Sequence, residues 1–173
     1  SRLAQHPTIK NISYGNGTPG MYMTNSPTME VEGKKFAIRG AAVDEEYLSV
    51  LGIELSQGKN FTEANGGMIL TEMAVQELGL ESPVGKIIHP LKVDWGIEII
   101  GVVKDFHVTS LHDKIEPICF VKRETPGGTA HIKIASTNVP ASLKTIEAEF
   151  KNVWGAEPFN YQFPDEAFNR QYQ

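Results

Sequence analysis

Residues 96–104 (GIEIIGVVK) constrain the fold more than any other stretch of this chain. Apolar residues stand at nearly successive positions, at Ile97, Ile99, Ile100, Val102 and Val103. A strand with one exposed face alternates apolar and polar side chains, whereas a strand covered on both faces is apolar almost throughout. We therefore predict that this strand lies inside a sheet and is covered on both of its faces.

Size and composition fit a folded globular protein. The 173 residues are enough for one domain or two small lobes, and hydrophobic residues make up 40% and charged residues 21% of them. No stretch reaches the roughly 18 to 20 apolar residues that a membrane helix needs, and no signal peptide is visible at the start. We expect a chain that is soluble as given and that can be a piece of a longer protein.

The charge pattern argues against two classes of partner. The net charge is −5, and Lys and Arg form no run. Nucleic acid requires a basic face that neutralises phosphates, and an anionic lipid surface attracts polybasic segments, so we expect neither partner. The single cysteine, Cys119, excludes an internal disulfide, and its apolar neighbours indicate a small core residue.

Helices and strands are predicted to alternate without a strict βαβ repeat. Asp44 and Thr71 are placed to cap helices at their N-termini, and Gly52 and Gly155 to end helices. In the longest helix, the apolar residues Leu143, Ile146, Phe150, Val153 and Trp154 share one side. Residues 15–27 are predicted to form a long loop. The predicted strands are 8–14, 35–43, 53–55, 67–70, 86–89, 96–104, 117–122, 130–135 and 159–163, and the predicted helices are 44–52, 71–80, 140–154 and one that begins at Asp165.

This pattern predicts an α+β fold with a divided organisation. A strand and helix near 35–52 are echoed by a strand, helix and strand at 130–163, and two such units can pair into one split βαβ sandwich. Residues 1–52 plus 129–173 then form one discontinuous lobe, and residues 53–128 form an inserted lobe. We expect hinges where the two lobes join, near Gly52 and near residues 126–128.

The segment 101–113 (GVVKDFHVTSLHD) carries the strongest hint of chemistry. Its His and Asp side chains could hold zinc or serve in acid–base catalysis, but the turn at 109–110 leaves their directions open, and no HExxH or CxxC framework supports them. The alternative interpretation is structural: two apolar side chains anchor the segment, and polar ones satisfy loop N–H groups. The candidate ligands are Asp105, His107, His112 and Asp113, the anchors are Phe106 and Leu111, and the polar loop residues are Asp105, Thr109 and Ser110.

Other chemical motifs are weak or missing. The chain has no P-loop, no GxGxxG after a strand and no GxSxG. His89 and His131 are too scattered to add to a metal site, and copper binding by Met21, Met23 and Met29 is less plausible than loop packing. We predict no catalytic residue, no cofactor and no metal ligand, so the chain is not expected to be an enzyme.

Four stretches in register resemble one known family. They are VDEEYLSVLGIELSQGKNF (43–61), ILTEMAVQELGLESPVGKII (69–88), IIGVVKDFHVTSLHDKIEP (99–117) and FNYQFPDEAFNRQY (159–172). Together they look like the extracytoplasmic domain of MacB/FtsX-like ABC transporter permeases of bacterial envelopes. The resemblance covers roughly residues 36–173.

The resemblance implies a fold and a place in the cell. It implies a porter-like split βαβ lobe, matching 1–52 plus 129–173, with an inserted Sabre-like mixed α/β lobe, matching 53–128. The chain would be the piece between the first and second helices of an inner-membrane permease, on the periplasmic side. Both termini would face the membrane, the helix from Asp165 would lead into the second membrane helix, and membrane contact would come only through helices absent from this chain.

The resemblance also implies a function without chemistry of its own. A cognate ATPase domain or subunit would hydrolyse ATP in the cytoplasm, the permease would dimerise, and movement would pass to a periplasmic protein, peptide or lipoprotein substrate or to an adaptor. Export and regulation of cell-wall hydrolases both stay open. The alternatives are a free-standing periplasmic binding or adaptor module and, as a third reading, a metal-dependent hydrolase that uses 101–113.

Overall fold

In the part of the chain that the structure describes, a ten-stranded mixed sheet and three helices form the body. The computed structural model describes residues 2–18, 22–23, 28–90, 95–106, 116–124 and 128–163. The predicted α+β class is confirmed. In chain order the elements are a 3-10 turn (Arg2–Gln5), β1 (Ile9–Gly15), β2 (Gly17–Thr18), β3 (Tyr22–Met23), β4 (Thr28–Val31), β5 (Lys34–Ala37), β6 (Arg39–Val43), α1 (Tyr47–Leu51), β7 (Leu55–Gly58), β8 (Met68–Thr71), α2 (Glu72–Leu78), β9 (Ile87–Pro90), β10 (Ile97–Val103), β11 (Ile118–Lys122), β12 (Thr129–Ile134) and α3 (Val139–Trp154).

The strand order places β10 near the centre of the sheet. The order is β12-β1-β6-β11-β8-β10-β9-β4-β5, and β7 also pairs with β10. The pairs β8–β10 and β6–β11 are parallel, and the remaining pairs are antiparallel. Parallel neighbours require a crossover, and α2 lies in the connection between β8 and β10. The small strands β2 and β3 pair with each other.

Both faces of the central strands are buried, as the sequence of β10 predicts. Residues 99–103 are all buried, and neighbouring residues of β8 point into different cores. Met68 and Leu70 pack in the first core, whereas Ile69 packs in the second. The first core contains Met29, Val31, Ile38, Met68, Leu70, Ala74, Leu78, Leu80, Ile88, Ile99 and Cys119, and the second contains Ala41, Val43, Tyr47, Leu48, Phe61, Ile69, Ile100, Val103, Ile118 and Phe120.

Both cores draw residues from the two predicted lobes. Ile38 packs in the first core with Leu70, and Tyr47 packs in the second with Phe120. The parallel pair β6–β11 also joins residues before 52 to residues after it. The sheet therefore continues across the boundary at residue 52, while the division into lobes and the hinge at Gly52 stay predictions. Residues 125–127, which include most of the second predicted hinge, lie outside the described residues.

Several strand boundaries differ from the predictions. The predicted strand 35–43 is two strands, because the buried Ile38 separates β5, which pairs with β4, from β6, which pairs with β11 and β1. The predicted loop 15–27 contains the paired strands β2 and β3, and β4 was not predicted. The predicted strand 53–55 instead begins at Leu55 and continues to Gly58.

Three of the four predicted helix ends are correct. Thr71 Oγ1 accepts a hydrogen bond from the Ala74 N–H at 3.4 Å, and Gly52 ends α1 in the left-handed region at φ 70°. Gly155 follows α3. The predicted cap at Asp44 is displaced: α1 begins after Glu46, which has no side-chain cap, and Asp44 Oδ1 accepts a hydrogen bond from the Glu46 N–H at 3.2 Å just before the helix. The same carboxylate accepts two shorter bonds from β1.

The C-terminal part of the described chain departs from its predicted packing. Ile146 of α3 is buried, but Val153 is 71% exposed and Trp154 is 62% exposed, so the helical periodicity continues past the part of α3 that packs on the body. Residues 159–163 form no strand, although their apolar and polar residues alternate. The helix predicted from Asp165 lies outside the described residues.

Candidate functional site

The start of the segment 101–113 is anchored to the body. Asp105 Oδ1 accepts a hydrogen bond from the Met73 N–H at 2.8 Å, which satisfies a free donor in the first turn of α2. The Phe106 ring stacks on Phe120, with ring centroids 6.4 Å apart and planes 23° apart. The predicted anchor role of Phe106 is therefore confirmed, whereas Asp105 satisfies an N–H of α2 and not the loop N–H groups that were predicted.

The remaining residues of that segment lie outside the described part of the chain. This applies to His107, Thr109, Ser110, Leu111, His112 and Asp113. Within the described ranges, no group of three or more His, Cys, Asp or Glu side chains could hold a metal ion. Met29, one of the three methionines considered as copper ligands, is a core residue that is 3% exposed. Met21 and the side chain of Met23 lie outside the described residues.

Cys119 is a core residue, as predicted. It is fully buried in the first core, and burial raises the pKa of its thiol to about 12. A thiol needs a lowered pKa to act as a nucleophile at neutral pH. Cys119 therefore contributes packing and is protected from reaction.

A buried polar cluster that the sequence did not reveal joins β1, β12 and α1. The Asp44 carboxylate accepts hydrogen bonds from Ser13 Oγ and from the Tyr14 N–H, each at 2.6 Å. The Tyr47 hydroxyl donates to the Gly17 carbonyl at 2.8 Å. Asp44 Oδ1 also accepts a weaker bond from the Glu46 N–H at 3.2 Å, so the carboxylate ties β1 to the residue just before α1.

His131 completes this cluster. It is 8% exposed, and its ring lies 5.1 Å from the Tyr47 ring at an angle of 87°. Burial is the largest influence on this imidazole and lowers its pKa, against smaller opposing effects of the Gly17 backbone and the Asp44 carboxylate. A lone His in a strand gives no sequence motif, so only the fold brings these groups together.

A second feature is an aromatic surface at the end of α3. Phe150 contacts Trp154 and Phe159, Phe159 contacts Tyr161, and Tyr161 contacts Phe163, with ring centroids between 5.5 and 6.4 Å apart. Trp154 and Tyr161 are 62% and 54% exposed. Contiguous exposed apolar side chains of this kind are typical of contact surfaces.

Both ends of the described chain lie along α3. The 3-10 turn at Arg2–Gln5 packs against α3, and His6 Nε2 lies 3.5 Å from Thr145 Oγ1. At the other end, Phe159 packs on Phe150, which lies in the last third of the same helix. None of the helices in the described ranges has the length and apolar character that a bilayer crossing requires.

Three solved structures have the same fold. The periplasmic region of MacB from Actinobacillus actinomycetemcomitans aligns with a TM-score of 0.73 and 21% identity, covering 99% of this chain and 79% of that one. The extracellular domain of the ABC-type transporter YknZ from Gram-positive bacteria gives a TM-score of 0.67 and 15% identity over 90% and 82% of the two chains. A domain of a protein assigned as a permease from Porphyromonas gingivalis gives 0.65 and 17% over 88% and 68%.

These comparisons confirm the predicted resemblance at the level of fold. The chain has the α+β fold of MacB-like extracytoplasmic domains. No protein-family model and no curated protein matches the sequence.

Proposed function

We propose that this chain is the non-catalytic extracytoplasmic domain of an ABC transporter permease. The observation that carries the proposal is the shared fold, which covers 88% to 99% of the chain in three transporter or permease domains. In this role the domain couples ATP hydrolysis by a cognate cytoplasmic ATPase to movement of a protein, peptide, lipoprotein or adaptor outside the membrane. The permease sits in the inner membrane of a bacterium with this domain on the periplasmic side.

The position of the chain ends supports this role. Because both ends of the described chain lie along α3 and the N-terminal turn also packs on β1, movement that arrives through flanking segments reaches α3 and the edge of the sheet together. The two-sided packing of the central sheet gives a stiff body on which such movement can act. A tilt of residues 53–128 against residues 1–52 plus 129–173 stays a prediction, and it would have to bend the sheet where β6 and β11 pair across residue 52.

The first experiment examines the complete gene and its product. The role requires apolar stretches of about 20 residues flanking this chain. It also requires that an ATP-hydrolysing subunit or domain copurifies with the detergent-solubilised protein. A complete reading frame without membrane segments would overturn the proposal and favour a free-standing periplasmic module.

A second experiment measures coupling directly. A spin label at Lys144, an exposed residue on α3, reports the distance between the two copies of a permease dimer reconstituted in lipid nanodiscs. We expect the distance distribution to change between the nucleotide-free and ATP-bound states. A label at Lys133 on β12 measures the distance between the two copies from a second position on the same body. Distances that stay the same at both positions, with ATP hydrolysis intact, would contradict coupling.

A further inference from the structure

His131 occupies a position where a positive charge cannot be accommodated well. It lies in the middle of β12, opposite Ser13 of β1, and both side chains are buried. Its Nε2 atom has no hydrogen-bond partner among the described residues. The Tyr47 ring of α1 lies against it. An imidazole in this place packs well when neutral, whereas its protonated form would leave a buried N–H donor unsatisfied.

Few charged groups face His131 from the elements packed around it. The turn before α1 presents Asp44, whose carboxylate already accepts bonds from Ser13 and Tyr14. The Tyr47 hydroxyl of α1 stays neutral because burial raises its pKa. Two further charged residues stand at the rim of this face, and both are exposed: Lys133 on β12 and Glu46, whose Oε2 accepts from Asn11 Nδ2 on β1 at 2.6 Å.

We propose that His131 is a proton-sensitive latch between β12 and the body. When neutral, it holds β12 against β1 and α1. When it takes up a proton, that packing loosens, and so does α3, which follows β12 directly in the chain. The latch concerns the fold of this chain and does not depend on the proposed function.

The direction of the pH effect follows from the lowered pKa. The unfolded chain binds a proton near the ordinary histidine value of about 6.5, and the folded chain does so only at lower pH. Stability that this residue contributes is therefore fully present above pH 6.5 and is lost as the pH falls below that value toward the folded pKa. Between pH 7.5 and 5.5 the loss reaches at most about tenfold in the ratio of folded to unfolded chain.

Urea unfolding of this chain at pH 7.5 and 5.5 measures the effect. We expect the folded-to-unfolded ratio of the wild type to fall at the lower pH. In His131→Phe this fall should be smaller, by a factor of up to about ten. The matched control is His89→Gln, because His89 is an exposed histidine on β9 and its variant should keep the full wild-type loss. Equal losses in wild type and His131→Phe would overturn the latch.

Two measurements on the wild type keep the proposal testable if His131→Phe does not fold. An NMR titration should place the midpoint of the His131 ring below the ordinary histidine value of about 6.5. Amide hydrogen exchange, corrected for its intrinsic pH dependence, should accelerate at pH 5.5 in β12 and α3 more than in β9 and β10. A His131 ring that titrates at or above pH 6.5, or an acceleration that is uniform across the sheet, would overturn the proposal.

Discussion

Replacement of Phe120 by alanine tests whether this chain unfolds as one body. Phe120 lies on β11, is fully buried, and contacts the Tyr47 ring at 5.6 Å and the Phe106 ring at 6.4 Å. Tyr47 belongs to the segment 1–52, and Phe106 and Phe120 belong to 53–128. The ring cluster therefore joins the two predicted lobes in one core.

The expected loss is about 3 to 5 kcal/mol in the free energy of unfolding. The upper part of this range applies, because β6 and β8 hold β11 on both sides and the cavity cannot collapse easily. Domains of this size are typically stable by about 5 to 15 kcal/mol, so the variant should be marginal yet measurable. The control is Val121→Ala, a half-buried neighbour on the same strand, which should lose less than half as much.

Urea unfolding followed by circular dichroism gives the size of the loss, and amide exchange read separately for β12 and β9 gives its distribution. Because both cores cross residue 52, we expect the slowest-exchanging amides of both strands to lose protection together. A loss below about 1 kcal/mol would refute the packing argument. Reduced protection in β9 alone would refute the single body and favour two lobes that unfold independently.

Three further changes probe single contacts. Tyr47→Phe removes the hydroxyl that donates to the Gly17 carbonyl. Because a buried acceptor loses this donor, urea unfolding should show a loss of about 1 to 3 kcal/mol in the free energy of unfolding. Asp105→Ala removes the acceptor of the Met73 N–H and should lower the free energy of unfolding by about 0.5 to 2 kcal/mol. Asp105→Asn keeps an acceptor oxygen and should therefore lose less. Cys119 should resist iodoacetamide at pH 8 until urea unfolds the chain, and rapid labelling of the folded protein would contradict its burial.

The parts of the fold that could be predicted from the sequence are those where local chemistry and final packing agree. The run at residues 97–103 is apolar because both faces of β10 are covered, and the cap at Thr71 works through bonds within its own turn. The resemblance of four ordered stretches identified the MacB-like fold, which no periodicity could have supplied. Phe106 packs on Phe120 as an anchor, as predicted, whereas the partner of Asp105 is the distant Met73 N–H of α2 and not a loop N–H.

The predictions were wrong at residues whose structure depends on partners far away in the sequence. Ile38 looks like any other strand residue, but β5 and β6 pair with different strands on either side of it. Asp44 has the chemistry of a helix cap, yet β1 offers it two shorter bonds. Trp154 continues a helical apolar face, but the body ends before the helix does.

The hydrophobic and polar alternation of residues 159–163 likewise suits a strand, but in the described chain the Phe159 ring packs against both Phe150 and Tyr161. The cluster around His131 is the extreme case, since its members come from 13, 17, 44, 47 and 131. Nothing in their spacing along the chain indicates that they meet.

The register of β1 and β12 has a mechanical consequence. Ile9 pairs with Ile134 at one end of this antiparallel ladder, and Gly15 pairs with Thr129 at the other. Tension applied to the two ends of the molecule would therefore enter the ladder at Ile9 and Ile134 and open it like a zipper, rung by rung, instead of shearing every rung at once. In an optical trap, β12 should separate from β1 at low force, while the eight strands on the other side of β1 stay folded.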